Sequence, residues 1–326
     1  NNNEVNTFIK MVGGKVYGDI YGGGNRNGSG TSSKLANVRV SMLDGEVYGT
    51  LYGGSNEKGI IYGNVDIDFM GGTIYGNLYG GGKGGYSDSN SYGTFVSRNA
   101  RVVIGDNLSS KVPHIIGNVY GGSSFGSVNG SSNNNGTSSY QTSVVVNKGK
   151  IDGSLFGGGE GDTSYTPNVF GNVSVVINDG EINRVFGAND KMGSPLGDVS
   201  VVINGGTCSE VYGGGNKTPL AISDVTVNGG NVTSLYGGSN EMGDVDSANV
   251  VVKDGNIGSL YGGNNIGGMT SNSIITTMGG NIGSLYGGGN LADTNNSYLY
   301  INDGVISSLY GGGESANILK GSMVNF

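Results

Sequence analysis

The chain of 326 residues has only one cysteine, one histidine and four prolines, and it contains no tryptophan. The single cysteine, Cys208, cannot form a disulfide within the chain, so the fold does not depend on an oxidising compartment. The scarcity of proline, together with the lack of a strict three-residue glycine period, excludes collagen and proline-rich linkers. No apolar run reaches the ~18 residues that a membrane-spanning helix needs, which predicts no membrane insertion.

Charged residues are also scarce, at 13% of the chain, and the formal net charge is −8. Lysine and arginine are not clustered, which argues against binding to the phosphate backbone of a nucleic acid. Disorder fits poorly, because the 35% hydrophobic residues are concentrated in short recurring runs of Val, Ile, Leu and Tyr. We therefore expect a folded protein with an acidic surface of mixed charge.

Glycine, in contrast, is abundant, with 68 copies, and many of them follow an aromatic residue. The aromatic-glycine element recurs eleven times, at Tyr21, Tyr52, Tyr79, Tyr120, Phe156, Phe186, Tyr212, Tyr236, Tyr261, Tyr286 and Tyr310. The last five copies are 24 or 25 residues apart, which defines the minimal repeat. Each repeat has a segment with period two, a turn such as Asn-Asp-Gly or Asn-Gly-Gly, and a second short apolar segment, which is typical of β-strands.

A repeat of this length has no room for a helix and gives each strand one apolar face, so it must stack on its neighbours to bury a core. The sequence therefore predicts an all-β fold, a single-stranded parallel β-solenoid of about eleven coils. The handedness of β-crossovers favours a right-handed β-helix. We expect one solenoid over 1–326, in which coils 1–5 (about 1–170) carry loop insertions on one edge and coils 6–11 (about 171–326) are regular.

Stacking in register places equivalent residues in ladders along the solenoid. One inward ladder is aliphatic throughout, and a second contains Cys208 where its neighbours are aliphatic, which predicts a buried thiol that is not a nucleophile. Asparagines recur after the glycine run and at the turn, where amide ladders can satisfy corner groups (Asn216, Asn240, Asn265, Asn290; Asn147, Asn178, Asn204, Asn228). For the glycine-rich corner we consider positive φ at Gly237 and Gly238, in which case replacing them with valine is expected to destabilise the fold strongly.

The aromatic residue follows an inward aliphatic residue, so strand alternation predicts that it points outward. The candidate ligand-binding residues are the tyrosines of this column, at Tyr21, Tyr52, Tyr79, Tyr120, Tyr212, Tyr236, Tyr261, Tyr286 and Tyr310. Such a column is either a stacked scaffold or a platform for sugar rings or a partner protein. Coils 1–3 add a second aromatic column, at Tyr17, Tyr48 and Tyr75.

The insertions all fall just after the glycine-rich corner, at 25–34, 83–99, 123–141 and 160–168, so they emerge on one edge. They are rich in Ser, Asn and Gly and carry six aromatic residues, at Tyr86, Tyr92, Phe95, Phe125, Tyr140 and Tyr165. This composition suits adaptable contacts, and insertions in repeat proteins often form the binding face. The alternative is that they are tolerated surface loops.

We find no residue set with the pattern of a catalytic centre, and we predict no catalytic residue, metal or cofactor. His114 lies some three coils from Cys208, which at about 4.8 Å per coil is beyond hydrogen-bond reach, so no Cys-His dyad is expected. A Ser-His-Asp triad could be built only through His114. Asp66 and Asp68 alternate as calcium ligands sometimes do, but no complete oxygen cage can be named. Arg39 is expected to lie over Asp66 as a surface ion pair of little energetic weight.

The pattern Gly-Gly-x-Ile/Val followed by Leu-Tyr-Gly-Gly, seen at 71–82, 229–240 and 279–290, resembles the parallel β-helix repeats of bacterial surface proteins, including adhesins and autotransporter passengers. The resemblance implies export, display at a bacterial cell surface, and adhesion or spacing. We expect a non-enzymatic extracellular rod, part of a larger surface protein or fibre, whose partner is a host or microbial glycan or protein and which can also associate end to end. The alternative function is a β-helix that binds or cleaves carbohydrate, as polysaccharide lyases, hydrolases and tail-spike enzymes do.

Overall fold

The fold is described from a computed structural model, over residues 6–85, 93–130 and 137–326. Strands, turns and bends account for the regular structure of these residues, and none of them is helical. The strands pair in parallel with the equivalent strands of the next repeat. The prediction of an all-β parallel β-solenoid is therefore confirmed, whereas its handedness stays a prediction.

The chain divides into two compact units, which we call the first unit (Asn1–Ser174 with Lys191–Gly197) and the second unit (Val175–Asp190 with Asp198–Phe326). The expectation of one solenoid over 1–326 stays a prediction. The first unit contains β1 (Thr7–Met11), β2 (Lys15–Val16), β3 (Ile20–Tyr21), β4 (Val38–Met42), β5 (Glu46–Val47), β6 (Leu51–Tyr52), β7 (Gly59–Ile61), β8 (Val65–Phe69), β9 (Thr73–Ile74), β10 (Leu78–Tyr79), β11 (Thr94–Val96), β12 (Ala100–Ile104), β13 (His114–Ile115), β14 (Val119–Tyr120), β15 (Ser127–Val128), β16 (Gln141–Val146) and β17 (Lys150–Phe156).

Strand β18 (Asn172–Ile177) contains the boundary. The second unit continues with β19 (Glu181–Phe186), β20 (Val199–Ile203), β21 (Thr207–Tyr212), β22 (Leu220–Val227), β23 (Asn231–Tyr236), β24 (Val245–Val252), β25 (Asn256–Tyr261), β26 (Thr270–Tyr286), β27 (Thr294–Tyr310) and β28 (Ile318–Asn325).

Three ladders of parallel strands build each coil of the first unit. The first ladder joins β1, β4, β8, β12 and β16, and the other two end on β17. Leu51, Leu78 and Val119 lie opposite one another in register and are fully buried. The inward aliphatic ladder predicted from the sequence therefore forms the core here.

The insertions of the first unit are not only loops, because parts of them form a further sheet. Strands β7, β11 and β15 pair in parallel, and single bridges add Ser29 and Val169. Phe95, expected at an exposed binding edge, is only 8% exposed because it belongs to this sheet. Tyr86 and Tyr92 lie outside the described residues.

The second unit has two ladders, one through β20, β22, β24, β26, β27 and β28, and one through β19, β21, β23, β25, β26 and β27. Leu235 and Leu260 are fully buried on the second ladder. The turn between ladders closes on Gly230, whose φ of 85° is left-handed. This confirms the expected turn chemistry, because glycine reaches that region without steric cost.

Asparagine side chains join neighbouring coils of the second unit, as predicted. After the glycine run, Asn240 donates to Asn216 (2.9 Å) and Asn265 donates to Asn240 (2.8 Å). At the turn, Asn228 donates to Asn204 with Nδ2–Oδ1 of 2.8 Å. These amide ladders satisfy polar groups at corners that the strand hydrogen bonds do not reach.

The expectation of positive φ at the glycine-rich corner is wrong. Gly237 and Gly238 are outside the left-handed region. A Cβ on Gly237 would instead overlap the carbonyl oxygen of Gly262, and a Cβ on Gly238 would overlap Oδ1 of Asn264. Close approach of adjacent coils is therefore the reason for glycine at these two positions.

Candidate functional site

The aromatic column forms as a stack in each unit. In the first unit the ring centroids from Tyr21 to Phe156 are 4.6 to 5.0 Å apart, and in the second unit those from Phe186 to Tyr310 are 4.6 to 4.9 Å apart. Neighbouring rings are within 8° of parallel. The aromatic residues therefore occupy equivalent positions in successive coils, as the sequence predicts.

The expected outward direction of this column is wrong. Tyr79, Tyr120 and Tyr212 are 1 to 2% exposed, and Tyr52, Tyr236 and Tyr261 are each 6% exposed. Strand alternation fails here because the chain bends at the following glycines, so an aliphatic residue and the aromatic residue after it are both buried. Only the ends differ: Tyr310 is 48% exposed, and Tyr21 and Tyr286 are partly exposed.

The hydroxyl groups of the column are held by polar side chains of the corners. Tyr79 donates to Glu160 (2.6 Å), a carboxylate that also accepts from Ser124 (2.9 Å) and Lys191 (2.7 Å). Burial raises the pKa of Tyr79, and the neighbouring Glu160 charge adds to the shift. The geometry of this column is that of a packed scaffold, and ligand binding by its tyrosines stays a prediction.

The second aromatic column of the first unit is the one that faces solvent. Tyr17, Tyr48 and Tyr75 are 78%, 39% and 43% exposed, and their ring centroids are 5.2 and 4.7 Å apart. Ile116 extends the row, since it follows Ile115, which pairs with Ile74, and it is 38% exposed. We call these four residues the outer aromatic ladder. The sequence indicates this column through the spacing of the two inward ladders. Three residues separate the inward positions of these coils, as between Val47 and Leu51, so one more side chain points to solvent.

Ion pairs border the outer aromatic ladder. Lys15 lies 3.1 Å from Glu46, which also accepts a 2.6 Å hydrogen bond from the Tyr48 hydroxyl. The hydrogen bonds from Tyr48 and Lys15 hold the pKa of Glu46 below its ordinary value. The ladder is thus an apolar strip with hydrogen-bonded, charged side chains along its rim.

The only histidine in the sequence lies at the other end of this strip. Nε2 of His114 is 2.8 Å from Oδ2 of Asp152, and Lys150 is 3.0 Å from the other carboxylate oxygen. The hydrogen bonds of Lys150 and His114 hold the pKa of Asp152 low. His114 therefore belongs to a surface polar cluster around the Asp152 carboxylate.

The ion-pair partners of the two carboxylates of β8, Asp66 and Asp68, differ from the expectation. Arg39 and Asp66 lie opposite in register, but the Arg39 guanidinium binds Asp68, with Nη2–Oδ2 of 2.7 Å. Asp68 also lies 3.5 Å from Arg101, which leaves Asp66 with only a 3.9 Å contact to Arg101. Among the residues that the structure describes, no three His, Cys, Asp or Glu side chains are placed to hold a metal ion.

Comparison with protein families, with curated proteins and with solved structures gives no match. Within the described ranges, no helix is long and apolar enough to cross a membrane. The function must therefore be argued from the surfaces of the two units.

Cys208 is fully buried between Ile182 and Val232 of the neighbouring strands, as predicted. Burial raises the pKa of its thiol to about 12. Because the thiolate is the reactive form, we expect the native protein to resist alkylation by iodoacetamide at mildly alkaline pH, and the unfolded chain to be alkylated completely. Mass spectrometry of the two samples measures this, and rapid alkylation of the native protein would contradict the burial of Cys208.

Proposed function

We propose that this protein is a non-enzymatic extracellular β-solenoid that serves as a structural and adhesive element of a bacterial cell surface, within a larger surface protein or fibre. The observation that carries the proposal is the outer aromatic ladder. Contiguous exposed apolar surface is uncommon on soluble proteins and marks contact sites. Aromatic residues are also enriched at protein interfaces.

The geometry of the ladder supports a role in contact rather than in packing. Stacking covers the faces of Tyr48 and its hydroxyl donates to Glu46, so the ring edge is what a partner meets. The Lys15–Glu46 and Lys150–Asp152 ion pairs supply polar groups beside this apolar strip. A surface that combines apolar ring edges with ordered polar groups suits a glycan or a protein on a host or microbial surface.

The test replaces Tyr17, Tyr48 and Tyr75 together with serine and measures binding of the labelled protein to a glycan array and to immobilised surface proteins. We expect the triple variant to lose binding while its circular dichroism spectrum is unchanged. The matched control replaces Leu108 and Leu196, which are 95% and 43% exposed outside the ladder, with serine. Full binding by the triple variant would refute the role of the ladder, and no binding by the native protein would refute adhesion.

A further inference from the structure

We propose that a groove on the outer face of β1, β4 and β8 in the first unit is a carbohydrate-binding site, in which Asp66 accepts hydrogen bonds from sugar hydroxyls, Arg39 donates to the sugar and Phe8 packs against the ring. The groove is lined by these three residues and by Asn6, Asn37 and Asn64. It is separate from the outer aromatic ladder. The inference rests on the proposed function only for the class of partner.

Asp66 supplies the hydrogen-bond acceptors of the groove. Its side chain is 39% exposed, and it accepts no hydrogen bond from any described residue; its ion-pair contact is the 3.9 Å approach of Arg101. Burial raises the pKa of Asp66 above its ordinary value. Because no described residue donates a hydrogen bond to the Asp66 carboxylate, both of its oxygens can accept from hydroxyl groups of a ligand in the groove.

Arg39 is held ready for a ligand by a different carboxylate. Asp68 is 8% exposed and accepts hydrogen bonds from Nε (2.8 Å) and Nη2 (2.7 Å) of Arg39. A guanidinium has five N–H donors, so these contacts leave further donors for the groove. Asp68 is thus a positioning residue that holds Arg39, whereas Asp66 is left to face the groove. The sequence-based pairing of Arg39 with Asp66 does not distinguish these two roles.

The remaining lining residues add an apolar surface and neutral donors. Phe8 is 58% exposed and is adjacent to Arg39 in the strand register. The side-chain oxygens of Asn37 and Asn64 accept hydrogen bonds from the backbone nitrogens of Asn64 and Asn99 (2.9 and 3.2 Å), which leaves their NH₂ groups as donors.

This combination favours a sugar over a peptide. A pyranose ring offers C–H groups to an aromatic side chain and several hydroxyls that both donate and accept. A peptide recognised by strand addition binds through backbone groups at the edge of a sheet, whereas the groove offers the side chains of Phe8, Arg39 and Asp66. The two arginines and two aspartates also balance in charge, so the site does not demand a charged ligand.

The experiment uses the full chain on an array of defined neutral and uronic acid-containing oligosaccharides. Asp66→Asn and Phe8→Ala are each expected to weaken binding by about tenfold or more, because each removes a contact to the sugar. Asp66→Asn is also expected to leave thermal stability unchanged, because Asp66 accepts no hydrogen bond from a described residue and its 3.9 Å contact to Arg101 is an exposed ion pair of little energetic weight. Loss of binding at unchanged stability separates a binding role from a structural one.

Lys10→Ala is the matched control, since Lys10 is exposed on the same strand but does not line the groove. It is expected to bind as the native protein does. Native-level binding by both Asp66→Asn and Phe8→Ala would overturn the proposal, as would the absence of any bound oligosaccharide. Sugar binding that is lost in the outer-ladder triple variant but kept by Asp66→Asn would overturn this site and leave the proposed adhesive function standing. A peptide that binds the groove in place of any sugar would likewise overturn it.

Discussion

Replacing Gly237 with valine is expected to lower the free energy of unfolding by about 3 kcal/mol or more, at the upper end of the usual cost of overpacking. The Cβ would overlap the carbonyl oxygen of Gly262, which is backbone of the adjacent coil and has no rotamer through which to move away. The same carbonyl-over-glycine contact recurs from Gly213 to Gly237 and from Gly262 to Gly287. A backbone shift that relieves the overlap in one coil therefore displaces the next coil. Chemical denaturation of the variant measures the loss in free energy of unfolding.

Gly321→Val is the control for this change. Gly321 also lies in a strand of the second unit, but a Cβ there would meet no atom within 4 Å, and its φ is not left-handed. A surface substitution of this kind changes stability by about 0.5 kcal/mol at most. Equal stability of the two variants would mean that the coils at Gly237 are further apart than the structure shows.

The fold was predictable because one simple periodicity persists through most of the chain. Alternating residues such as Val225 and Val227 define a buried face, and a 24- or 25-residue repeat leaves no way to cover it except another copy. The position of Cys208 followed from the same register, without any knowledge of its surroundings. The repeat thus shows which strands pair with each other, which a single sequence without repeats does not reveal.

The direction of the aromatic column was not predictable from the same rule. Alternation holds only while the backbone remains an extended strand, and the chain bends directly after Tyr236. Leu235 and Tyr236 are consequently both buried, at 0% and 6% exposure. Likewise, the sheet of β7, β11 and β15 is formed by short segments at irregular intervals, which carry no periodic signal.

The side-chain partners at the groove could not be predicted from the sequence for a further reason. Register places Arg39 opposite Asp66, but a long arginine side chain reaches diagonally, and it binds Asp68 two residues further along the strand. Such a choice depends on rotamers and on the second arginine, Arg101, which competes for the same carboxylate. The candidate site could therefore be identified only after its ion pairs were known.

Because the aromatic column is buried, substitutions in it are expected to report on stability before they report on ligand binding. Tyr212→Ala is expected to lower the free energy of unfolding by about 3–5 kcal/mol, the usual cost of removing a buried aromatic ring. The Tyr212 ring is 1% exposed, and its centroid lies 4.6 Å from that of Phe186 and 4.7 Å from that of Tyr236. Removing the ring leaves a cavity that the neighbouring coils cannot close, because their spacing is fixed by the strand hydrogen bonds. Thermal or chemical unfolding of the variant measures the loss.

Tyr212→Phe distinguishes the ring from its hydroxyl. The hydroxyl donates to Glu210 (3.2 Å) and accepts from Asn265 (3.1 Å), and each of these bonds is expected to contribute about 1 kcal/mol. Phenylalanine already occupies the equivalent place at Phe186, so the stack tolerates it. A large loss in Tyr212→Phe would mean that the hydrogen bonds, and not the rings, hold the corner. If Tyr212→Ala abolishes binding to a glycan, the stability of the variant must be compared first, because collapse of this stack would displace surface residues that Tyr212 never touches.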